Sequence, residues 1–401
     1  MNVCMVSYSF YESDTRILQY TKALIERGDS VDVIALRAEG KPAFEVLKQV
    51  HVYRIFARKV NERTPLQYLT RVLKFMLLAA FSCGRRHLTK RYDVIHVHSV
   101  PDFLVFCALL PKILGAKIIL DVHDILPEFY ASKFNLPRGS KVFRLLVLCE
   151  RISASFANHV IIANALWRQR VIDRSVAAEK CTAIRNYPDP EIFLPRRKRA
   201  SNGKFRILYP GSLNQHQGLD IAIRAFARVA GSMPGAEFHI YGEGPEKRAL
   251  ITLRDSLALE ERVSINGYLP VEEIATIMAD ADLAVVPKRV STGFGNEAAS
   301  TKIMEFMSVG VPVIVSRTRI DTHDYDESMV MFVEPENDEV LAEAILRLWQ
   351  SLDVRERIIM NAYSYVQQHN WTKARLEYLC LLDSLVAGGR ARIGARAHAE
   401  P

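Results

Sequence analysis

Short runs of apolar residues alternate along the chain with longer amphipathic stretches that have a helical period. Runs this short, with β-branched residues among them, are typical of buried strands. They predict strands at residues 2–8, 31–36, 52–56, 94–97, 117–122, 159–163 and 181–185, and again at 205–209, 238–241, 263–265, 283–286, 311–315 and 329–332. Because strands that alternate with helices form parallel sheets covered on both faces, the pattern predicts an α/β protein.

One segment interrupts this alternation. Residues 188–203 hold three prolines and a basic cluster at 196–199, a composition typical of a linker. We predict a Rossmann-like domain over 1–190, a linker over 191–203, a second Rossmann-like domain over 204–370, a helix over 371–386 that packs back on the first domain, and a disordered basic tail over 388–401. Open parallel sheets bind ligands beyond the carboxyl ends of their strands, so we expect a site in the loops that follow the strands.

Composition and charge narrow the classes of partner. The 401 residues are 49% hydrophobic, enough for two cores, and the net charge of +8 suits an anionic partner, with a merely basic surface as the alternative. No nucleic-acid-binding module is evident, so we expect no nucleic-acid partner. The six cysteines show no CxxC spacing, the chain does not begin like a signal peptide, and the longest apolar run is 75–81, which together predict a cytoplasmic protein.

The segment from Gly293 to Val315 is the densest in chemistry. Ser300 is placed to cap a helix over 301–309, and a helix start offers free N–H groups and a positive dipole to an anion. Lys302 in the first turn opposes that dipole, which favours a bound anion over an ordinary exposed lysine. Glu297 and Glu305 form a Glu-x7-Glu pair; in a partly apolar setting Glu305 needs a polar partner such as ribose hydroxyls, and the alternative is a solvated pair.

This segment resembles the signature of glycosyltransferase family 4, a retaining family with the GT-B fold, in which the Glu pair is followed by a small-residue turn and a G-x-P-V-I strand. Other stretches resemble the family in the same order, from Val3 to about Leu385: DVIHVHS, DVHD, ILYPGSLNQHQGLDIAI, HIYGEGPEKRAL and INGYLPVEEIATIMADADLAVVP. The resemblance implies two Rossmann-like parallel-sheet domains that face each other across a cleft. It also implies a UDP- or GDP-linked sugar as donor, with no metal and no cofactor.

The resemblance also implies roles for individual residues. Glu305 would bind the ribose, while Glu297 and His123 would act at the donor sugar as catalytic residues; the alternative for His123 is a purely structural histidine. The residues implied in donor binding are Gly211, Ser212, Gln217, Gly242, Gly244, Leu269, Lys288, Ala298, Ala299, Ser300, Thr301, Lys302 and Glu305. Residues expected at the acceptor are Asp14, Arg16 and Asp124.

The sequence departs from the family in two loops. Loop 211–218 lacks the Arg and Lys with which many members hold the diphosphate, so Lys288, Arg289 and Lys302 are the candidates for that charge. Residues 13–16 replace the double glycine that many members carry after the first strand.

Residues 54–91 contain ten Lys or Arg and one acid, around a helical apolar stretch at 66–81. Such a helix predicts peripheral docking on an anionic membrane surface; the alternative is a core-facing helix with a solvated basic side.

The sequence as a whole predicts a retaining hexosyl- or N-acetylhexosaminyltransferase that acts on a polysaccharide-precursor or polyprenyl-diphosphate-linked glycan. The alternatives are a non-catalytic nucleotide-sugar-binding protein and a GT-B nucleotide-sugar epimerase.

Overall fold

A computed structural model describes residues 1–58, 65–133, 137–196, 203–291 and 293–397. The chain forms two compact units, the first made of Met1–Arg185 and Thr372–Pro401 and the second of Asn186–Trp371. The boundary between the two units thus lies at residues 185–186, a few residues before the start of the predicted linker. Most of the predicted basic cluster, 197–199, lies outside the described residues.

The first unit is built on an eight-stranded sheet in the order β3-β4-β2-β1-β5-β6-β7-β8. Its strands are β1 (Asn2–Ser7), β2 (Ser30–Arg37), β3 (Phe44–Leu47), β4 (Val50–Ala57), β5 (Val94–Ser99), β6 (Lys117–Val122), β7 (His159–Ile162) and β8 (Cys181–Ala183). All pairs are parallel except β3–β4. The edge strand β3 was not predicted, because its residues alternate between exposed and half-buried and form no apolar run.

Helices cover this sheet. They are α1 (Thr15–Arg27), α2 (Pro65–Lys90), α3 (Leu109–Ile113), α4 (Leu126–Lys133), α5 (Lys141–Phe156) and α6 (Ala165–Arg174). Each of the predicted strands of this half is present, because the apolar run that predicts a strand is the run that the sheet buries.

The second unit has a six-stranded parallel sheet in the order β11-β10-β9-β12-β13-β14. The strands are β9 (Phe205–Pro210), β10 (Ala236–Tyr241), β11 (Val263–Asn266), β12 (Leu283–Val286), β13 (Val313–Ser316) and β14 (Met331–Val333). The helices are α7 (Leu219–Ala230), α8 (Lys247–Ser256), α9 (Val271–Ala279), α10 (Thr301–Val309), α11 (Arg319–Asp324), α12 (Asp338–Gln350) and α13 (Leu352–Gln368). The strand order reverses direction between β9 and β12, and in a doubly wound sheet such a switch point is where ligands bind.

The last helix, α14 (Trp371–Ala397), belongs to the first unit from Thr372 onward. It is held there by Tyr378, whose buried hydroxyl lies 3.0 Å from Nδ1 of His96, and by an ion pair of 2.9 Å between Asp383 and Arg27. The helix continues to Ala397, beyond Gly388, where the sequence predicted the start of a disordered tail. Alanine and arginine, which recur in this stretch, are both favourable in helices.

Candidate active site

The loops at the switch point of the second unit pack backbone against backbone. Gly211 follows β9 and Gly242 follows β10, with φ of +141° and +153°. A Cβ atom on Gly242 would overlap the carbonyl oxygen of Gly211, and a Cβ atom on Gly244 would overlap that of Leu213. Glycine is therefore required at Gly242 and Gly244, which were predicted at the donor, because their loop packs directly against the backbone of the neighbouring loop.

The N-terminus of α10 lies in the segment that follows β12, the other strand of the switch point. Ser300 is its N-cap residue, but the Ser300 side chain makes no capping hydrogen bond. Among the described residues, the buried Oγ of Ser300 has no hydrogen-bond partner. The first-turn N–H groups of a helix also lack intrahelical acceptors, and the dipole is positive there. The N–H of Ala298 already donates to the carbonyl oxygen of Phe294 at 2.9 Å, so Ala299 and Thr301 are the predicted residues whose amides suit an anion at this helix start.

Two of the three candidate cations are paired within the unit. Lys288 is buried, with Nζ at 2.6 Å from Oδ2 of Asp321, and it donates to the carbonyl oxygen of Ala298. Arg289 forms an ion pair of 2.6 Å with Asp220. Both side chains therefore organise the loop after β12, and neither needs a ligand to balance its charge.

Lys302 differs from both. Its side chain lies across Gly211, where a Cβ atom would overlap Cε of the lysine, and Nζ is 5.3 Å from the ring centroid of Tyr209. Among the described residues, no carboxylate lies within ion-pair distance of Lys302. Burial lowers the pKa of Lys302; the charge of Glu305 opposes this shift, and the charge of Lys288 adds to it. A half-buried ammonium group in this position would be stabilised by an anion at the start of α10.

The two glutamates of the Glu-x7-Glu pair have different surroundings. Glu305 is half-buried in α10, and burial raises the pKa of its carboxyl group against the opposing charge of Lys302. Glu297 is buried in the loop, with Oε1 at 3.2 Å from Nη1 of Arg319. Glu305 is therefore a carboxylate that gains from hydroxyl donors, whereas Glu297 already has a cationic neighbour.

Three further predicted donor residues lie on the same edge of the sheet. The hydroxyl of Tyr209 lies 2.9 Å from Oε1 of Gln217 and 3.1 Å from the carbonyl oxygen of Ser212, and these two acceptors share its single proton. Ser212 is exposed, and Leu269, after β11, is half-buried. Tyr209 thus fixes the loop that lacks the Arg and Lys expected from the resemblance.

In the first unit, five side chains surround the carboxyl ends of β5 and β6. We call Arg16, His96, His98, Asp121 and His123 the Asp121 cluster. Arg16 donates to both carboxylate oxygens of Asp121, at 2.8 and 2.7 Å, and to the carbonyl oxygen of Ile184. Burial would raise the pKa of Asp121, but the Arg16 guanidinium holds it well below its usual value. Asp121 is therefore a buried anion.

Three imidazoles face Oδ2 of this anion. Nδ1 of His98 lies 3.3 Å from Asp121 Oδ2 and 3.1 Å from Nε2 of His123. His96 Nε2 is 3.5 Å and His123 Nε2 is 3.6 Å from the same oxygen. Burial lowers the pKa of His98 to about 3, so this ring is neutral near pH 7. His123 is the one of the three that reaches the surface, with 22% of its side chain exposed.

The ligand atoms of His96, His98 and Asp121 lie within 4.8 Å of one another, close enough in principle to share a metal ion. Both oxygens of Asp121 already accept hydrogen bonds from Arg16, however. A metal ion would have to displace a buried guanidinium, so the residues present do not fit a metal site well.

The predicted acceptor residues have mainly structural surroundings. Asp14 caps α1 by accepting from the N–H of Ile17, and it also accepts from Ser9. Arg16 is buried against Asp121, which argues for a positioning role instead of the predicted contact with an acceptor. Asp124 is half-buried, and burial raises the pKa of its carboxyl group. Sequence reasoning did not single out Asp121 or His98, although polar residues inside otherwise apolar strands were a signal for both.

Helix α2 has two apolar sides. Val72, Phe75, Ala79 and Cys83 are buried in the core, as the core-facing alternative for this helix required. On the other side, Leu77 and Phe81 are 67% and 70% exposed. Helix α3 packs against α2, and both α2 and α5 pack against a short 3-10 turn at residues 102–108. We define the apolar face as the exposed apolar residues of these three helices: Leu69, Leu73, Leu77, Leu78, Phe81, Leu88, Leu109, Leu110, Ile113, Leu114, Val142, Leu145, Leu148 and Ile152.

Exposed cations accompany the apolar face: Lys74, Arg85, Arg91, Lys141 and Arg144. Other cations of the predicted basic segment have partners inside the unit. Arg54 is buried between Glu12 and Glu45, Lys90 pairs with Asp32, and Arg86 stacks on Tyr53. Within the described part of the chain, no helix is both long and apolar enough to cross a bilayer.

Comparison with known proteins gives this fold and site a class. The family description "Glycosyl transferase 4-like domain" matches residues 13–187, and "Glycosyl transferases group 1" matches residues 204–351. The chain is 27% identical over 373 residues to the putative colanic acid biosynthesis glycosyltransferase WcaL of Escherichia coli K12, covering 86% of this chain and 89% of that protein.

Solved structures have the same fold at low sequence identity. Sucrose-phosphate synthase from Thermosynechococcus elongatus superimposes with a TM-score of 0.77 at 18% identity, covering 97% of this chain and all (100%) of that chain. Anabaena Alr3699/HepE, solved with UDP and glucose, has a TM-score of 0.70 at 18% identity, covering 96% of this chain and 100% of that chain.

Two parallel α/β units with this switch-point geometry define a GT-B protein. The chain belongs to the family 4 glycosyltransferases. The predictions of a GT-B fold and of a glycosyltransferase are thereby confirmed, and these matches do not favour the epimerase or the non-catalytic alternative.

Proposed function

We propose that this enzyme transfers a hexosyl or N-acetylhexosaminyl group, with retention, from a UDP- or GDP-sugar to a glycan acceptor in polysaccharide assembly. The proposal that the second unit binds the nucleotide sugar rests on one observation. The cation Lys302 lies beside the N-terminus of α10, at the switch point of the second sheet. The UDP bound in the Alr3699/HepE structure supports the donor class, and the colanic acid role in the name of WcaL supports the acceptor class.

In this proposal the donor diphosphate lies against the start of α10. The amides of Ala299–Thr301 and the hydroxyl of Ser300 donate to it, and Lys302 supplies the charge that loop 211–218 lacks. Glu305 accepts from the ribose hydroxyls, Leu269 contacts the base and Glu297 faces the sugar. Because negative charge grows on the diphosphate as the glycosidic bond breaks, donors fixed at this position stabilise the transition state more than the ground state.

The reaction needs no protein nucleophile in this proposal. The acceptor hydroxyl attacks from the face that the diphosphate leaves, and the departing phosphate oxygen takes the acceptor proton. His123 then acts by hydrogen bonding to the donor sugar, and the chain's contribution is to position and to stabilise charge. We expect transfer without an added metal ion.

Nucleotide binding to the purified protein tests the donor site. Lys302→Met keeps the aliphatic chain across Gly211 and removes the ammonium group. We expect the Kd for the nucleoside diphosphate of the preferred donor to rise about tenfold or more, since a charged hydrogen bond contributes roughly 1.5–3 kcal/mol. Lys204→Gln, at the opposite end of β9, is the matched control and should leave the Kd unchanged. Equal affinity of Lys302→Met and the wild type would refute the assignment.

Transfer itself is measured by release of nucleoside diphosphate from a panel of nucleotide sugars, with and without a glycan acceptor. We expect one donor to raise the melting temperature and to turn over faster when an acceptor is present. A donor that binds but is never consumed with any acceptor would favour the non-catalytic alternative.

We further propose that the acceptor is lipid-linked and that the apolar face docks the first unit on the cytoplasmic leaflet. Exposed leucine, isoleucine and phenylalanine side chains can enter the headgroup boundary, and Lys74, Arg85, Arg91, Lys141 and Arg144 suit anionic lipids. Each such cation contributes about 1 kcal/mol near an anionic surface, and salt screens that contribution.

Co-sedimentation with vesicles that contain phosphatidylglycerol separates the two contributions. Arg85→Ser with Arg91→Ser and Arg144→Ser should reduce binding mainly at low salt, whereas Leu77→Ser with Phe81→Ser should reduce it at every salt concentration. All five side chains are exposed, so these substitutions should leave the fold intact. A wild-type protein that stays in the supernatant at low salt would reject the docking proposal and leave the donor site unaffected.

A further inference from the structure

The hydrogen-bond geometry of His98 determines where its proton lies. Nδ1 of His98 faces the carboxylate oxygen of Asp121 at 3.3 Å. An unprotonated Nδ1 would direct a lone pair at this buried anion, which is repulsive, whereas an N–H on Nδ1 is attracted to it. Nε2 of His98 is buried and has no hydrogen-bond partner among the described residues, so a proton there would be an unsatisfied buried donor. His98 therefore carries its proton on Nδ1.

That proton forms a hydrogen bond with Nε2 of His123, at 3.1 Å from the same Nδ1 atom, and the Asp121 carboxylate 3.3 Å away attracts it electrostatically. The distance of 3.6 Å from His123 Nε2 to Asp121 is too long for a hydrogen bond. His98 is thus the buried group that makes a hydrogen bond to this side of the His123 ring. Since Nε2 of His123 accepts from His98, a neutral His123 must carry its own proton on Nδ1.

The rest of the Asp121 cluster fixes His98 in this role. Arg16 donates to both oxygens of Asp121 and keeps the carboxylate ionised and immobile. His96 stacks on His98, with ring centroids 4.2 Å apart, and is itself held by Tyr378. All of these groups are buried, so the orientation of His98 does not depend on solvent.

We propose that His98 is a positioning residue that fixes His123 in its Nδ1–H tautomer, so that His123 meets the substrate as a hydrogen-bond donor. The nitrogen of His123 that remains available to a ligand is then the protonated Nδ1. Its partner is an oxygen acceptor, either a sugar hydroxyl or a phosphate oxygen. In this state His123 has no free nitrogen lone pair with which to act as a base toward the acceptor hydroxyl. The consequence for transfer rests on the proposed function; the tautomer does not.

The tautomer is measured directly in the full chain labelled with ¹⁵N-histidine, by the ¹⁵N chemical shifts of the ring nitrogens at neutral pH. His123→Gln identifies the His123 signals by their loss. We expect a protonated, pyrrole-type Nδ1 and an unprotonated, pyridine-type Nε2 for His123. The opposite pattern, or an equal mixture of both tautomers, in the wild type would overturn the proposal without any further variant.

Variants of the two stacked histidines test which of them sets the tautomer. His98→Leu removes the donor and should let His123 redistribute toward the Nε2–H form, whereas His98→Asn places an amide donor near the position of Nδ1 and should keep the wild-type shifts. His96→Leu is the matched control, because His96 is equally buried beside Asp121 and its Nδ1 is bonded to Tyr378 instead of His123. If His96→Leu and His98→Leu change the His123 shifts equally, the effect is general to the cluster and His98 has no special role.

Transfer assays connect the tautomer to function. We expect His98→Leu to lower kcat about tenfold with little change in KM, the size of one lost hydrogen bond, and His98→Asn to recover most of it. If the wild type shows the expected ¹⁵N shifts but His123→Gln turns over normally, the proposed function of His123 is contradicted. The tautomer assignment would remain intact. Wild-type-like turnover in His98→Leu with altered shifts would show that the tautomer is irrelevant to transfer and overturn that part of the inference.

Discussion

The Asp121 cluster of the first unit and the start of α10 in the second unit treat charge in opposite ways. In the first unit, Arg16 and Asp121 satisfy each other, and both are almost fully buried. In the second unit, Lys302 has no carboxylate within ion-pair distance among the residues described, and the neighbouring Ser300 hydroxyl is unpaired. A satisfied cluster holds its side chains in one geometry whether or not a ligand is present. A cation without such a partner gains one when an anion binds, so the Asp121 cluster is organised to position and the start of α10 to capture.

The strongest test of this contrast is removal of Arg16. Arg16→Met leaves Asp121 as an uncompensated buried anion, and we expect the free energy of unfolding to fall by about 3–5 kcal/mol. The control is Arg228→Met, which breaks an exposed ion pair of 2.6 Å with Asp338 and should leave the free energy of unfolding nearly unchanged. Urea denaturation followed by circular dichroism measures both. Adding Asp121→Asn to Arg16→Met should restore part of the loss; no recovery would mean that the packing of Arg16 and not its charge is what matters.

Acidification tests the same cluster through its histidines. Burial lowers the pKa of His96, and it lowers that of His98 to about 3, so below the ordinary histidine pKa of about 6.5 the unfolded chain binds protons that the folded chain does not. The stabilisation from these uncharged rings is therefore fully present above about pH 6.5 and is lost as the pH falls below it. For His98 the loss continues toward pH 3, at roughly 1 kcal/mol per pH unit. Unfolding free energies at pH 7.5 and 5.5 measure the slope. His98→Asn should make the slope of the unfolding free energy against pH shallower. An unchanged slope would show that His98 does not contribute to this pH dependence.

In the second unit we expect a substitution to change the nucleotide affinity and not the free energy of unfolding. Glu305→Gln removes a carboxylate that is proposed to accept from two ribose hydroxyls, and a charged hydrogen bond contributes roughly 1.5–3 kcal/mol, so nucleotide affinity should fall about tenfold or more. Burial raises the pKa of Glu305 in the unliganded protein, so the substitution should not destabilise it. Isothermal titration and thermal unfolding of the same samples separate the two effects. A large loss of stability with unchanged affinity would reverse the assignment.

The sequence predicts local features well and long-range pairing poorly. Each predicted strand is present because its signal is the apolar run that the sheet buries, while β3 was missed because its residues are largely exposed. The N-terminus of α10 and Lys302 were predicted from the cap and the first turn. The pairing of Arg16 with Asp121 spans 105 positions, and that of Lys288 with Asp321 joins two separate segments. No local pattern encodes such pairs, so Arg16 was assigned to the acceptor and Lys288 to the donor.

The prediction with the smallest expected effect compares the N-termini of helix α1 in the first unit and helix α10 in the second. The N-cap Asp14 accepts from the N–H of Ile17, whereas Ser300 makes no capping bond. Asp14→Ala should therefore cost about 1 kcal/mol of unfolding free energy. Ser300→Ala removes no internal partner, so its stability should stay within about 0.5 kcal/mol of the wild type while nucleotide affinity falls severalfold. Melting curves with and without nucleotide measure both quantities. If Ser300→Ala destabilises the free protein as much as Asp14→Ala does, its hydroxyl caps the helix in solution, and the start of α10 is a structural end like that of α1.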